Sequence, residues 1–156
     1  MTTSGDHDVA AWRALLLAQS AVLKAIEADL AAAGQIPLTW YDVLLELNAA
    51  PQRRLRIQQL ASRVVLSRTR VSRLVDELVT AGLVERLPDP ADGRASLASI
   101  TRQGRAALRR AAPVYLAGIE RYFTRHLSQR EKQTLTAALG RVIAALQPPL
   151  SPSPRR

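Results

Sequence analysis

Apolar residues recur at three- and four-residue steps through most of the chain. Between residues 9 and 33 the recurring positions are Trp12, Leu15, Leu16, Gln19, Val22, Leu23, Ile26 and Leu30, followed by the stop signals Gly34 and Pro37. A second helix is predicted over 39–49. Thr39 is its cap, Trp40, Val43, Leu44 and Leu47 share a face, and Pro51 ends it. A short helix over 57–65 turns Ile57, Leu60, Ala61 and Val64 inward. The next, over 67–81, starts at the cap candidate Ser67 and stops at Gly82, with Val71, Leu74, Val75 and Leu78 as its stripe.

The period then changes. Leu83–Leu87 and Ala95–Ile100 read as two short strands around the turn-rich run Pro88-Asp89-Pro90-Ala91-Asp92-Gly93-Arg94, which places Asp-Gly near the tip. Helix, helix and hairpin together form a winged helix-turn-helix pattern. A long helix over 102–127 follows, capped by Thr101 and kinked at Pro113. Ser128 caps a last helix with Glu131 at capping-box spacing, and Leu135, Leu139, Val142, Ile143 and Leu146 form its stripe. The fold class is therefore mainly α with a small β-wing. Residues 1–8 are expected to be a flexible N-terminus, 9–147 a single domain, and the Pro- and Ser-rich stretch 148–156 a disordered tail.

Charge adds a direction. The 156 residues carry a net +9, and residues 53–110 hold 13 arginines against five acids, so nearly all of the excess lies in one segment. Such a balance suggests a polyanion partner. At about 100° per residue, the face of helix 67–81 opposite its apolar stripe carries Thr69, Ser72, Arg73 and Asp76. Arg70 stands on one flank and Arg68 in the first turn. Arg and hydroxyls in the N-terminal half, with the acids Asp76 and Glu77 only later, suit a helix whose first half enters the major groove. Arg94, just beyond Asp92-Gly93, is placed to reach the adjacent minor groove.

The absence of cysteine excludes disulfides, thiolate metal sites and a cysteine nucleophile. No Gly-rich phosphate loop, metal-ligand spacing or hydrolase nucleophile motif occurs, so neither an enzyme nor a cofactor is expected. His7 and His126 read as surface residues. No apolar run approaches about 18 residues, so no membrane span is read. The acidic start, with Asp6 and Asp8, is unlike a signal peptide, and the expected compartment is the cytoplasm.

The run from Leu66 to Arg86 resembles the recognition helix and wing approach of the MarR family of transcriptional regulators. Asp89, Asp92 and Arg94 are similar to that family's wing signature, and Ile100-Thr101-Arg102-Gln103-Gly104 to its Leu-Thr-x-x-Gly exit from the wing. Gly93 departs from the pattern, standing where the family often has a second charged residue. The resemblance spans about residues 10–147 and implies a sequence-specific regulator of double-stranded DNA, a repressor released by a small aromatic or anionic effector. It implies a homodimer on a pseudo-palindromic operator, with dimerisation helices at about 9–33 and 105–147 and a DNA-binding lobe at about 39–104. Ser67, Arg68, Thr69, Arg70, Ser72, Arg73, Arg86, Asp92 and Arg94 are the implied DNA-binding residues. Trp12, Trp40 and Tyr41 are candidates to line the effector pocket, or core anchors. An architectural DNA-binding protein and a winged-helix protein-interaction module are the alternatives. The terminal helices point to a dimer independently, because one small winged domain cannot cover their apolar stripes.

Overall fold

The structure is a computed structural model that describes residues 4–64 and 66–146, with side chains from His7 onward. The expected tail and Gln147 lie outside the described residues. Six helices and a three-stranded sheet follow in the order α1 (Ser4–Ala32), α2 (Leu38–Ala49), β1 (Arg54–Arg56), α3 (Ile57–Arg63), α4 (Arg68–Thr80), β2 (Val84–Asp89), β3 (Asp92–Ile100), α5 (Arg102–Tyr122) and α6 (Gln129–Leu146). Single 3-10 turns occupy Pro51–Arg53 and Thr124–His126.

The ends of the helices follow their local chemistry. Gly34 and Gly82 adopt left-handed backbone angles, φ 64° and 74°. At each the chain folds back, Gln35 N–H to Leu30 C=O at 2.9 Å and Leu83 N–H to Leu78 C=O at 2.9 Å, which satisfies carbonyls the helix leaves open. The Ser67 side chain accepts from Arg70 N–H at 3.2 Å. Ser128 and Glu131 form the expected reciprocal cap, with Ser128 N–H donating to Glu131 Oε2 at 2.8 Å and Glu131 N–H to Ser128 Oγ at 3.3 Å.

Several boundaries differ from expectation. α1 begins at Ser4, inside the stretch assigned to a flexible N-terminus. Thr39 does not cap α2. The helix starts at Leu38, whose N–H donates to Glu27 Oε2 of α1 at 2.8 Å, so a carboxylate eleven residues upstream does the capping. α5 contains Pro113 without interruption and ends at Tyr122, before the expected 127. The wing turns at Pro90 and Ala91, and Asp92 and Gly93 already belong to β3. β1 was not read from the sequence at all. Three residues long, it buries only Leu55 and pairs antiparallel with β3, so that the sheet order is β1-β3-β2.

One core holds the lobe together. Leu44 and Leu47 of α2, Leu60 of α3, Val71, Val75 and Leu78 of α4, and Ala98 of β3 are almost wholly buried, joined by Ile26 and Leu30 from the C-terminal half of α1. The outer parts of α1 and α6 are different. Val9, Trp12, Leu17, Ile143 and Leu146 are more than half exposed. By length and composition alone, His7–Ala32 is apolar enough to cross a membrane, which corrects the expectation that no stretch is. Its inner end, however, is tied to α5, with Tyr122 Oη donating to Asp29 Oδ2 at 2.9 Å.

Candidate nucleic-acid interface

Between α4 and the wing runs an open cleft of about 630 Å³. Its walls bring together Arg68, Thr69, Ser72, Arg73, Arg86, Asp92 and Arg94, seven of the nine expected DNA-binding residues. Ser67, the cap of α4, and Arg70, in its first turn, stand beside it, both exposed. The arrangement follows from the helix period. Val71, Leu74, Val75 and Leu78 are buried, which turns Thr69, Ser72 and Arg73 outward. Arg68, Arg73 and Arg94 are exposed, and their guanidiniums have no ion-pair partner among the described residues.

Arg86 is differently placed. Its Nε and Nη2 donate to Asp76 Oδ1 at 3.0 and 2.8 Å, its Nη1 to Ser96 Oγ at 3.1 Å, and its Nη2 also to Ser72 C=O and Oγ at 3.2 and 3.1 Å. A guanidinium has five N–H donors, and here nearly all are spent inside the protein. Within the chain Arg86 clamps α4 to both wing strands, which leaves one N–H of its guanidinium for the expected DNA contact. Ser72 contributes its hydroxyl to the same clamp. Asp92 likewise acts within the wing, its Oδ1 accepting from Arg94 N–H at 3.0 Å. An acid there would repel phosphate, so its part is to hold the turn.

Arg94 is paired with neither Asp89 nor Asp92 through its guanidinium. Asp89 instead meets Arg56 Nε at 2.5 Å and accepts from Ala91 N–H at 2.9 Å. The Ala91 N–H, opposed by burial and helped by the Arg56 guanidinium, holds the Asp89 carboxyl below the usual carboxylate range. Arg56, Ile57 and Gln58 also line the cleft and were missed in the sequence. Their place depends on β1, whose single buried residue leaves no periodic signal.

The three aromatic pocket candidates do not converge. Tyr41 is 3% exposed and stacks on Tyr115 with ring centroids 4.4 Å apart, a core anchor. Trp40 is half-buried on α2 and donates from Nε1 to Glu77 Oε2 of α4 at 3.2 Å. Trp12 lies apart from both, in an apolar groove of about 730 Å³ between α1 and α6 walled by Leu15, Leu23, Phe123, Leu139 and Val142. Within one chain Trp12, Trp40 and Tyr41 line no common pocket among the described residues, and Tyr41 has the core-anchor place that is its alternative reading.

Comparison with known proteins bears on the same lobe. A MarR family model matches residues 35–95, from the loop before α2 to the first part of β3. The crystal structure of AbsC, a MarR family transcriptional regulator from Streptomyces coelicolor, superposes with a TM-score of 0.81 at 27% identity, over 94% of this chain and 97% of that one. A second MarR family regulator from Streptomyces coelicolor, solved in complex with DNA, gives 0.84 at 27% identity over 96% and 92%. A mutant of MarR from E. coli complexed with operator DNA gives 0.77 at 22% identity over 91% and 99%, a likeness of fold. No curated protein matches the sequence. The mainly helical fold with its small antiparallel wing is a winged helix-turn-helix. Residues 35–95 match the MarR family model, and the chain shares its fold with MarR family transcriptional regulators over nearly its whole length.

Proposed function

We propose that the protein binds double-stranded DNA in a sequence-specific way as a homodimer, with α4 in the major groove and the wing against the adjacent minor groove. The observation that carries this is the cleft in which Arg68 and Arg73 of α4 face Arg94 of the wing, none of them ion-paired among the described residues. Arg forks match guanine O6 and N7 and phosphate oxygens, and hydroxyls such as Thr69 suit either. Ser67 and Arg70 flank the same contact at the N-terminal end of α4, where the helix dipole also favours phosphate. That a similar MarR family regulator from Streptomyces coelicolor was solved in complex with DNA supports DNA as the partner.

The dimer is supported by the exposed apolar surface of α1 and α6. Trp12 at 61%, Ile143 at 57% and Leu146 at 79% exposure need a cover, and a second copy provides one with matching stripes. The dimerisation helices are then about 9–33 and 105–147, the DNA-binding lobe about 39–104, and the operator pseudo-palindromic with half-sites one helical turn apart, about 10 base pairs. The regulator acts as a repressor released by a small aromatic or anionic effector. The Trp40–Glu77 bond supports such a route, since a ligand that draws the Trp40 ring away from Glu77 disturbs α4 directly. The compartment that goes with this reading is the cytoplasm. A gel-shift series on the upstream region of the protein's own gene, with scrambled competitor, tests the reading. Retention that survives the competitor is expected. Equal competition by both DNAs would indicate an architectural protein, and no retention a protein-interaction module.

A further inference from the structure

Arg56 stands on the wall of the α4–wing cleft, although it belongs neither to α4 nor to the wing hairpin. It is the last residue of β1 and is paired with Leu97 of β3, so the sheet brings it beside the wing. Its Nε meets Asp89 Oδ2 at 2.5 Å. Asp89 is itself 6% exposed, and its other oxygen accepts the Ala91 N–H at 2.9 Å. One buried carboxylate therefore does two things: its Oδ1 closes the wing turn, and its Oδ2, which accepts no hydrogen bond among the described residues, holds the Arg56 guanidinium by charge. The four Nη–H donors have no hydrogen-bond partner among the described residues, and the side chain is 42% exposed.

We propose that Arg56 is a phosphate-binding residue of this cleft, held in a set orientation by the buried Asp89. The inference rests on the DNA-binding reading above and adds a residue to it. A guanidinium drawn against a buried carboxylate has less rotamer freedom left to lose, and its free N–H donors suit bidentate contact with a phosphate. Its origin at the start of α3, away from the outward face of α4, suits the sugar–phosphate backbone between the two grooves more than a base edge. The α3–β1 corner thereby becomes a third DNA-contacting element beside α4 and the wing.

A second way for Arg56 to matter is through the wing alone, by steadying Arg94. Salt dependence separates the two. Binding of the full-length protein to a duplex of mixed sequence is measured over a range of salt concentrations for the wild type, Arg56→Gln, Arg94→Ala and the double variant. Gln keeps a neutral donor for Asp89 and removes the charge. Each single change is expected to lower the slope of log affinity against log salt by about one unit per chain, and the double by about the sum. Arg56→Lys, which keeps the charge on a single ammonium, is expected to keep the slope and lose affinity. An unchanged slope in Arg56→Gln, or a double variant no different from Arg94→Ala, would overturn the inference and leave Arg56 as a wing support. A wild type that binds no duplex at low salt would remove the DNA-binding reading itself, and this inference with it.

Discussion

Arg86 of β2 grips Asp76 of α4 through two guanidinium nitrogens, Nε at 3.0 Å and Nη2 at 2.8 Å. With its bonds to Ser72 and Ser96, it ties α4 to both strands of the wing. Arg86→Ala is expected to weaken binding to specific and scrambled DNA alike, because the cleft loses its shape and no base contact is removed. The ion pair is partly exposed and contributes little by itself, while the half-buried hydrogen bonds to Ser72 and Ser96 bring the expected stability loss to about 1–2 kcal/mol. Arg86→Lys should rescue little, since an ammonium cannot span three partners on two elements. Urea unfolding and parallel titrations with both DNAs measure the two effects.

The exit from the wing is equally constrained. Thr101 Oγ1 donates to Gly82 C=O at 2.7 Å and accepts from Gly104 N–H at 3.0 Å, which ties the end of α4 to the start of α5. A Cβ on Gly104 would lie 2.1 Å from Leu83 O and 2.8 Å from Ile100 Cγ1. Backbone cannot yield as a side-chain tip can. Gly104→Ala is therefore expected to destabilise the lobe by about 1–3 kcal/mol or more, despite Ala being the better helix former. Thermal unfolding of the variant checks this, and an unchanged midpoint would contradict it.

Asp89 predicts a pH dependence with a definite sign. Its carboxyl titrates below the usual carboxylate range in the folded protein, because of the Ala91 N–H and the Arg56 pair. The stability it contributes is thus present above the ordinary carboxylate pKa and is lost as pH falls through the lowered folded value. Asp89→Asn should be less stable than the wild type at neutral pH, and the difference should close as the solution is acidified below the ordinary range. Unfolding curves at a series of pH values measure it. A difference that grows in acid would contradict the assignment.

The dimer has its own test. Ile143 is 57% exposed on α6, so a charge there costs the single chain little and an interface much. Ile143→Glu is expected to remain folded, to sediment as a 17.0 kDa species at micromolar concentration, and to lose DNA affinity together with the dimer. A variant that still sediments as a dimer would move the interface elsewhere.

Much of the lobe was legible because its signals are local. Val71, Leu74, Val75 and Leu78 declare the buried face of α4 by spacing alone, and Ser67 and Gly82 mark its ends with side-chain and backbone chemistry that needs no distant partner. Ser128 and Glu131 are three residues apart and cap each other. What was not legible depends on residues far apart in the chain. Thr39 looks like a cap, but Glu27 reaches Leu38 first from α1. Arg86 looks like a DNA ligand alone, but Asp76 and Ser72 occupy most of its donors from another element. β1 offers one buried residue, Leu55, and becomes a strand only because β3 extends beside it. Arg56 was invisible as a site residue for the same reason.

Whether α4 reads bases or merely holds phosphates is decided at Arg73. It is exposed on the cleft wall, in the part of α4 that faces the wing. The direct measurement is the affinity of wild type and Arg73→Ala for the specific operator and for scrambled DNA at one salt concentration. The account predicts a loss of about 1–3 kcal/mol per half-site contact on the operator, a relaxed preference at one base of each half-site, and a much smaller loss on scrambled DNA. Equal losses on both DNAs would contradict it, making Arg73 a phosphate contact and leaving the sequence preference without a reader on α4.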